Sequence, residues 1–343
     1  MSQYDFIRDI TRYGLENDRE KLLSAVNDLI EYSKKGKKVN FALQLQSIIK
    51  DSFQNQKIST LRKVNDESYG TKFSDEDVRE LILEKLTSDY TFNNLVCGAE
   101  VENNLRLFVK EQLSVEMLQR FDLPVANKLL LYGPSGCGKT LASYVIAGEL
   151  KKLMIVVNLG SIVSSKLGET SKNLAKLFRK AASEECIIFI DEFDSLGKVR
   201  DYSQDHGEMK RVVNTILQLF DYLPQNSLII AATNQKEMLD PAVVRRFDLS
   251  VKLDLPDIKQ ISHLISLTLK DGIFKFDKPA QAKKVMKTTL GLSYYSIQKT
   301  LVTAIKRSIL ENSDNVRELA PTIQTSLWQE LILQEKTSLN VLE

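Results

Sequence analysis

The residues Gly133-Pro134-Ser135-Gly136-Cys137-Gly138-Lys139-Thr140 carry the most concentrated chemistry in this 343-residue sequence. Glycines at these positions let the backbone curl so that its N–H groups face one centre, which cradles phosphate oxygens. An apolar run at 128–132 leads in, and a helical pattern at 141–150 leads out. The start of that helix directs its dipole at the same negative charge. A lysine placed like Lys139 reaches the β and γ phosphates, and a hydroxyl placed like Thr140 holds Mg²⁺. Pro134, Ser135, Gly136, Cys137, Gly138, Lys139, Thr140 and Leu141 are the expected contacts of a nucleoside triphosphate.

About fifty residues later, Ile187-Ile188-Phe189-Ile190 ends in Asp191-Glu192. At the C-terminal end of a buried strand, Asp191 would lie beside Thr140 and order the metal ion. Glu192 is then placed to orient and deprotonate a water attacking the γ-phosphate. A third apolar run, 228–232, ends in Thr233-Asn234, where an amide can hold the water or the phosphate. Its bland alternative is a strand-end turn, for which asparagine is a favoured residue. Arg245 and Arg246 follow within Asp240-Pro241-Ala242-Val243-Val244-Arg245-Arg246-Phe247-Asp248. They could make surface ion pairs, or reach a neighbouring subunit's nucleotide and stabilise charge in the transition state.

These groups need a frame. Apolar strands are expected at 128–132, 153–159, 186–190, 228–232 and 249–253, with helical runs at 141–150, 171–182 and 208–222 between them. That alternation predicts an α/β domain whose parallel sheet is covered by helices on both faces. After Pro256 the pattern is helical again, at 257–270, 279–288, 293–311 and 322–334. The last of these holds the only tryptophan, Trp328, which serves either a lid cap or a subunit contact. Residues 1–55 read as an all-α hairpin, with Leu22, Leu23, Val26, Leu29 and Ile30 on one helix and Phe41, Leu45, Ile48 and Ile49 on the next. Between the two helices, the lysines of 34–38 complement a helix C-terminus. Residues 56–89 read as a linker, with Ser74 and Asp77 signalling a short helix through Leu86. The expected domains are therefore 1–55, a linker at 56–89, a nucleotide domain at 90–255 and a helical lid at 256–343.

Composition narrows the setting. A formal net charge of +2 argues against bulk-charge binding to nucleic acid. Three widely spaced cysteines suit reduced thiols in a cytoplasmic protein. No apolar run has membrane-spanning length, so no membrane association is expected. His206 and His263 lack an evident nucleophile partner and read as surface residues.

In order and spacing, the phosphate loop, the Asp-Glu strand end, Thr233-Asn234 and the Arg-Arg-Phe-Asp run resemble the AAA-type branch of the AAA+ ATPases. The resemblance covers residues 90–311. It implies a P-loop NTPase core with a C-terminal helical lid, ATP and Mg²⁺ as ligands, hydrolysis of ATP, and a homo-oligomeric ring, usually a hexamer. Phe92-Asn93-Asn94-Leu95-Val96-Cys97-Gly98 is similar to the segment that packs near adenine, which brings Cys97 and Gly98 into the cofactor site. Asn234 matches the sensor position. Arg245 and Arg246 match the arginine fingers, with Arg246 favoured for the contact. Lys166, Leu167 and Gly168 match a central-pore loop, although a lysine stands where protein-threading members carry an aromatic. The segment at 291–296 offers no lid arginine. A narrower resemblance is to bacterial AAA ATPases that accompany subtilisin-like serine peptidases, which makes such a peptidase an expected partner. The expected function is remodelling or regulation of a protein client. A nucleic-acid motor or loader, less favoured, and an ATP-switched signalling scaffold are the alternatives.

Overall fold

The computed structural model describes residues 3–15, 25, 26, 28–30, 32, 61–63, 81–158, 167–183, 185–195, 215–221, 227–270, 272, 274–311 and 322–340. The chain divides into two compact units, Met1–Thr60 and Leu61–Glu343. In the first, helix α1 (Gln3–Leu15) repeats Phe6, Ile10 and Tyr13 at helical spacing, and the rings of Phe6 and Tyr32 lie 5.4 Å apart. Ala25, Leu29 and Ile30 are helical and buried, in keeping with the first expected helix. The expected basic turn at 34–38 and the second helix lie outside the described residues.

The second unit is built on one sheet. Its strands are β1 (Leu61–Lys63), β2 (Ile82–Ser88), β3 (Lys128–Tyr132), β4 (Met154–Val157), β5 (Ile187–Ile190), β6 (Leu228–Thr233) and β7 (Leu249–Lys252). Their order is β1-β2-β4-β5-β6-β3-β7. The five from β4 to β7 are parallel, whereas β2 runs antiparallel to β4 at that edge and β1 runs antiparallel to β2. Around the sheet lie α2 (Ala99–Leu113), α3 (Val115–Gln119), α4 (Lys139–Leu150), α5 (Leu167–Ser183) and the short α6 (Pro241–Val244). Leu129, Leu131, Ile187, Phe189, Leu228 and Ile230 face α2 and α4. The alternate residues Leu130, Ile188, Ile190, Ile229 and Ala231 face Leu174, Leu177, Phe178 and Ala181 of α5. Burial on both faces is why these strands read as unbroken apolar runs.

Two expected helical stretches are strands instead. The predicted helix ending at Leu86 is overturned by β2, which pairs with β4 through Lys85↔Ile155 and Leu86↔Met154, with a bulge between Ile82 and Glu84. Covering the exposed edge of β4 satisfies its backbone groups, a long-range gain that outweighs a local capping signal. Likewise Thr322–Ile323 forms β9, paired in parallel with β8 (Lys275–Phe276), and helix α10 starts only at Thr325. The sheet as a whole is mixed, not purely parallel, for the same reason.

Beyond β7 comes the lid: α7 (Ile258–Thr268), α8 (Pro279–Thr288), α9 (Tyr294–Glu311) and α10 (Thr325–Asn340). Asp257 caps α7 by accepting the amides of Lys259 and Gln260 at 2.8 Å each, and the Gln260 side chain accepts the Asp257 amide. Trp328 is fully buried in the lid core with Ile261, Leu301 and Ile332, its ring 5.0 Å from Phe276. That places it as a lid-core residue. At the start of α10, Asp277 accepts both the amide and the hydroxyl of Thr325, at 2.9 and 2.6 Å. The Thr325 hydroxyl bond holds the Asp277 carboxyl below its usual pKa.

Candidate functional site

All parallel strands end on the same edge of the sheet, so β3, β5 and β6 deliver their C-terminal residues to one place, where α/β sheets bind ligands. The phosphate loop leaves β3 and enters α4 with Gly138 as its first cap, at φ 88°. Gly133, at φ 136°, lies so close to β7 that a Cβ there would sit 2.1 Å from the Leu253 carbonyl oxygen. Only glycine fits that turn. Lys139 is buried, and its ammonium donates to the carbonyls of Gly133 and Pro134 at 2.8 Å each. Burial lowers its pKa, partly countered by the nearby Cys137, Asp191 and Asp194.

The Thr140 hydroxyl donates to the Asp191 carboxylate at 2.9 Å, joining the loop to the end of β5. Two converging oxygen donors suit Mg²⁺, a hard cation that takes one or two protein ligands and keeps several waters. The other Asp191 oxygen accepts the Glu192 amide at 2.9 Å. Glu192 itself has φ 50°. A non-glycine residue in that left-handed region costs roughly 1–2 kcal/mol, so the surrounding turn must hold it there. The Phe193 amide donates to the Ala232 carbonyl on β6, and the Ser195 amide to the Glu192 carbonyl, both at 2.8 Å.

A cavity of about 480 Å³ joins these groups. Ser135, Gly136, Gly138, Lys139, Thr140 and Leu141 form its floor, and Asp191, Glu192 and Asn234 stand along the strand ends. Asn94, Leu95 and Val96 form a wall, while Leu264, Tyr294, Tyr295 and Gln298 come from the lid. Its size suits a nucleotide. The lid is seated on the loop by the Tyr295 amide, which donates to the Gly136 carbonyl at 3.1 Å. Tyr294 donates its hydroxyl to Gln260 at 2.9 Å, and burial raises its pKa.

Cys97 packs against the core behind the wall, where burial, with the Glu102 charge, pushes its thiol up to about 11. Gly98 caps α2, within reach of Gln260. Cys137 is buried inside the loop, and its thiol pKa is raised by that burial. Such thiols are poor nucleophiles at neutral pH. Arg246 pairs with Asp221 at 3.1 Å and also donates to the Ala242 carbonyl, whereas Arg245 is exposed at the end of α6. Leu167 and Gly168 begin α5, and Lys166 lies outside the described residues.

The profile of the family described as ATPase family associated with various cellular activities (AAA) matches residues 129–255. Over 236 residues the chain is 36% identical to an uncharacterised AAA family ATPase of Sinorhizobium fredii, covering 69% of this chain and 70% of that protein. The chain belongs to the AAA family of ATPases. This AAA ATPase is also 31% identical over 281 residues to cell division protein C of Sulfolobus acidocaldarius, covering 78% of this chain and 73% of that one. To a putative 26S proteasome regulatory subunit homologue of Methanocaldococcus jannaschii it is 32% identical over 231 residues, 66% of this chain and 60% of that one.

Sequence reasoning left several residues of the AAA ATPase site without a role. Leu264, Tyr294, Tyr295 and Gln298 reach the cavity only because the lid folds back over the loop. Asn94, Leu95 and Val96 belong to the segment singled out for adenine, but the wall precedes Cys97. Asp194 stood in view within Phe189-Ile190-Asp191-Glu192-Phe193-Asp194, and nothing local to that run marks its partner on β6.

Proposed function

We propose that the protein is a Mg²⁺-dependent, ring-forming ATPase that couples ATP hydrolysis to remodelling or regulation of a protein partner. The observation that carries this reading is the convergence of Lys139, the Thr140–Asp191 pair, Glu192 and Asn234 on one cavity roofed by the lid. Loop amides and Lys139 bind the phosphates. Thr140 and Asp191 hold Mg²⁺, which neutralises charge on the phosphate oxygens. Glu192 orients the attacking water and takes its proton, and Asn234 fixes that water or the terminal phosphate. Seating of the lid through Tyr295 excludes water from the phosphate end and links nucleotide state to lid position.

Arg246 is held by Asp221 within its own chain, so Arg245 is the better placed of the pair to complete a neighbouring subunit's site. Strands β1 and β2, with the nucleotide domain at 90–255 and the lid at 256–343, form the motor, Lys166, Leu167 and Gly168 are its client contacts, and residues 1–55 select the client. A subtilisin-like serine peptidase is the specific client that the resemblance proposes. Three free cysteines fit a cytoplasmic setting. Among the described residues no helix is long and apolar enough to cross a membrane.

The test is a trap. Glu192→Gln should keep ATP affinity while turnover falls by about 10²–10⁴, the range for a lost positioned base. Held with ATP and Mg²⁺ in extract of its own cells, the variant should retain a protein in an ATP-dependent way. Near-normal turnover would remove Glu192 from the mechanism. ATP-dependent capture of nucleic acid alone would overturn the protein client.

A further inference from the structure

Asp194 has no assigned role, yet it is a carboxylate only 4% exposed, in the turn that carries Glu192. Burying a charge is costly unless hydrogen bonds satisfy it. One oxygen of Asp194 accepts the Thr233 hydroxyl at 3.0 Å and the Asn234 amide at 3.4 Å. Thr233 in turn accepts the Gln235 amide at 3.1 Å, so its hydroxyl is fixed in the direction of Asp194. The carboxylate therefore spans from the β5 turn to the β6 end, two residues from Glu192 and in contact with the backbone of Asn234.

The same turn is anchored on its other side. Phe193 is buried against Phe247 and Phe220, at ring separations of 5.8 and 6.5 Å, and its amide bonds Ala232. Phe193 thus fixes the depth of the turn in the core, but it does not touch β6 beyond Ala232. Among the described residues of this turn, the bonds to 233 and 234 are those of Asp194. Glu192 immediately precedes these anchors, in a left-handed conformation that an unconstrained chain would leave.

We propose that Asp194 is a positioning residue for hydrolysis: its buried carboxylate ties the turn bearing Glu192 to the strand end bearing Asn234 and sets their relative placement. The proposal rests on the roles given above to Glu192 and Asn234. It acts through them, because the same Asp194 oxygen bonds the Thr233 hydroxyl and the Asn234 backbone. Asparagine at 194 keeps an acceptor oxygen for both donors and should preserve the geometry; alanine removes it.

Asp194→Ala should lower kcat by about 10²-fold, the scale of a misplacement near 1 Å in an assembled site. KM for ATP, and ADP affinity measured in EDTA, should stay within about threefold, since the Lys139 bonds to Gly133 and Pro134 and the loop backbone remain. Asp194→Asn should recover turnover to within about tenfold of wild type. Thr233→Val deletes the bond from its other end and should lower kcat with ADP affinity retained, whereas Thr233→Ser should restore it. In a Glu192→Gln background, Asp194→Ala should reduce residual turnover by less than about threefold, because a residue acting through Glu192 adds little once that group is gone. If Asp194→Ala does not fold, the threonine pair and the Asp194→Asn variant decide the matter. Unchanged kcat in folded Asp194→Ala or in Thr233→Val overturns the proposal, as does a loss of ADP affinity equal to the loss of kcat. A normal Glu192→Gln enzyme would instead sink the underlying assignment, so the two failures are distinct.

Discussion

Replacing Gly136 with alanine tests whether the seated lid matters to turnover. Gly136 has φ 72°, and a Cβ there would lie 2.5 Å from Ser293 Oγ, 3.0 Å from Ser293 Cβ and 3.1 Å from Tyr295 Cβ. Two effects can be separated. The left-handed backbone costs an alanine roughly 1–2 kcal/mol wherever the lid goes. At about 2–4 °C per kcal/mol for a domain of this kind, that lowers the thermal midpoint by about 2–8 °C. The contact at 2.5 Å must open by nearly 1 Å to reach ordinary van der Waals distance, and it involves the start of α9, not a flexible tip. A shift of that size near the phosphate end costs about 10²-fold in turnover. It also stretches the bond from the Tyr295 amide to the Gly136 carbonyl. Steady-state ATPase assays beside thermal melts read both quantities. Adding Ser293→Gly makes room for the new Cβ at the cost of a few tenths of a kcal/mol at a helix cap. The double variant should regain most turnover while keeping the lower midpoint. Turnover of the single variant within about threefold of wild type would rule out a role for the seated lid, and so would a folded double variant with no recovery.

Three further outcomes are expected. Mixed assemblies of Arg245→Ala and Glu192→Gln subunits should hydrolyse ATP faster than either variant alone, because an Arg245→Ala subunit keeps its own Glu192 and can receive Arg245 from a Glu192→Gln neighbour; no gain on mixing would rule out completion by the neighbour. Trp328→Ala should destabilise the lid by about 3–5 kcal/mol, the range for truncating a buried aromatic, and a urea midpoint equal to wild type would contradict its place in the lid core. Cys97 makes the chain sensitive to alkali. With its thiol raised to about 11 when folded, the unfolded chain releases this proton near its ordinary value of 9.0 while the native chain retains it. Native stability should therefore fall between pH 9 and about 11, and Cys97→Ala should flatten that decline in thermal melts. An identical pH profile in the variant would show that Cys97 is not its source.

Much of the fold was legible because its signals are local. Strands 187–190 and 228–233 announce themselves by apolar runs rich in isoleucine, and 128–132 by three consecutive leucines, as strands buried on both faces do. Helix 279–288 begins at Pro279 and was readable to the residue. The segment Ile82–Ser88 was not, since its burial alternates imperfectly across a bulge and its strand identity depends on β4, some seventy residues downstream. Helix α1 falls within the all-α reading of residues 1–55, but its bounds are not legible from an apolar repeat of only Phe6, Ile10 and Tyr13.

The chemistry of the phosphate site is written in consecutive residues. A glycine pattern, a lysine and a threonine within eight residues specify the cradle, because the backbone curl and the helix that follows are made by those residues alone. An acid pair after a buried strand, at its distance from that loop, carries the second half. Whatever depends on two distant segments meeting is settled by the folded chain: the roof made by Tyr294, Tyr295 and Gln298, the Arg246–Asp221 pair beside the exposed Arg245, and the Asp194–Thr233 tie between β5 and β6. Those contacts join residues 25–160 positions apart or are created by close packing of the lid on a glycine, and no local pattern encodes which partner a side chain will find. The physical reason is that backbone conformation is set largely by neighbours in sequence, whereas burial and hydrogen-bond satisfaction are set by neighbours in space.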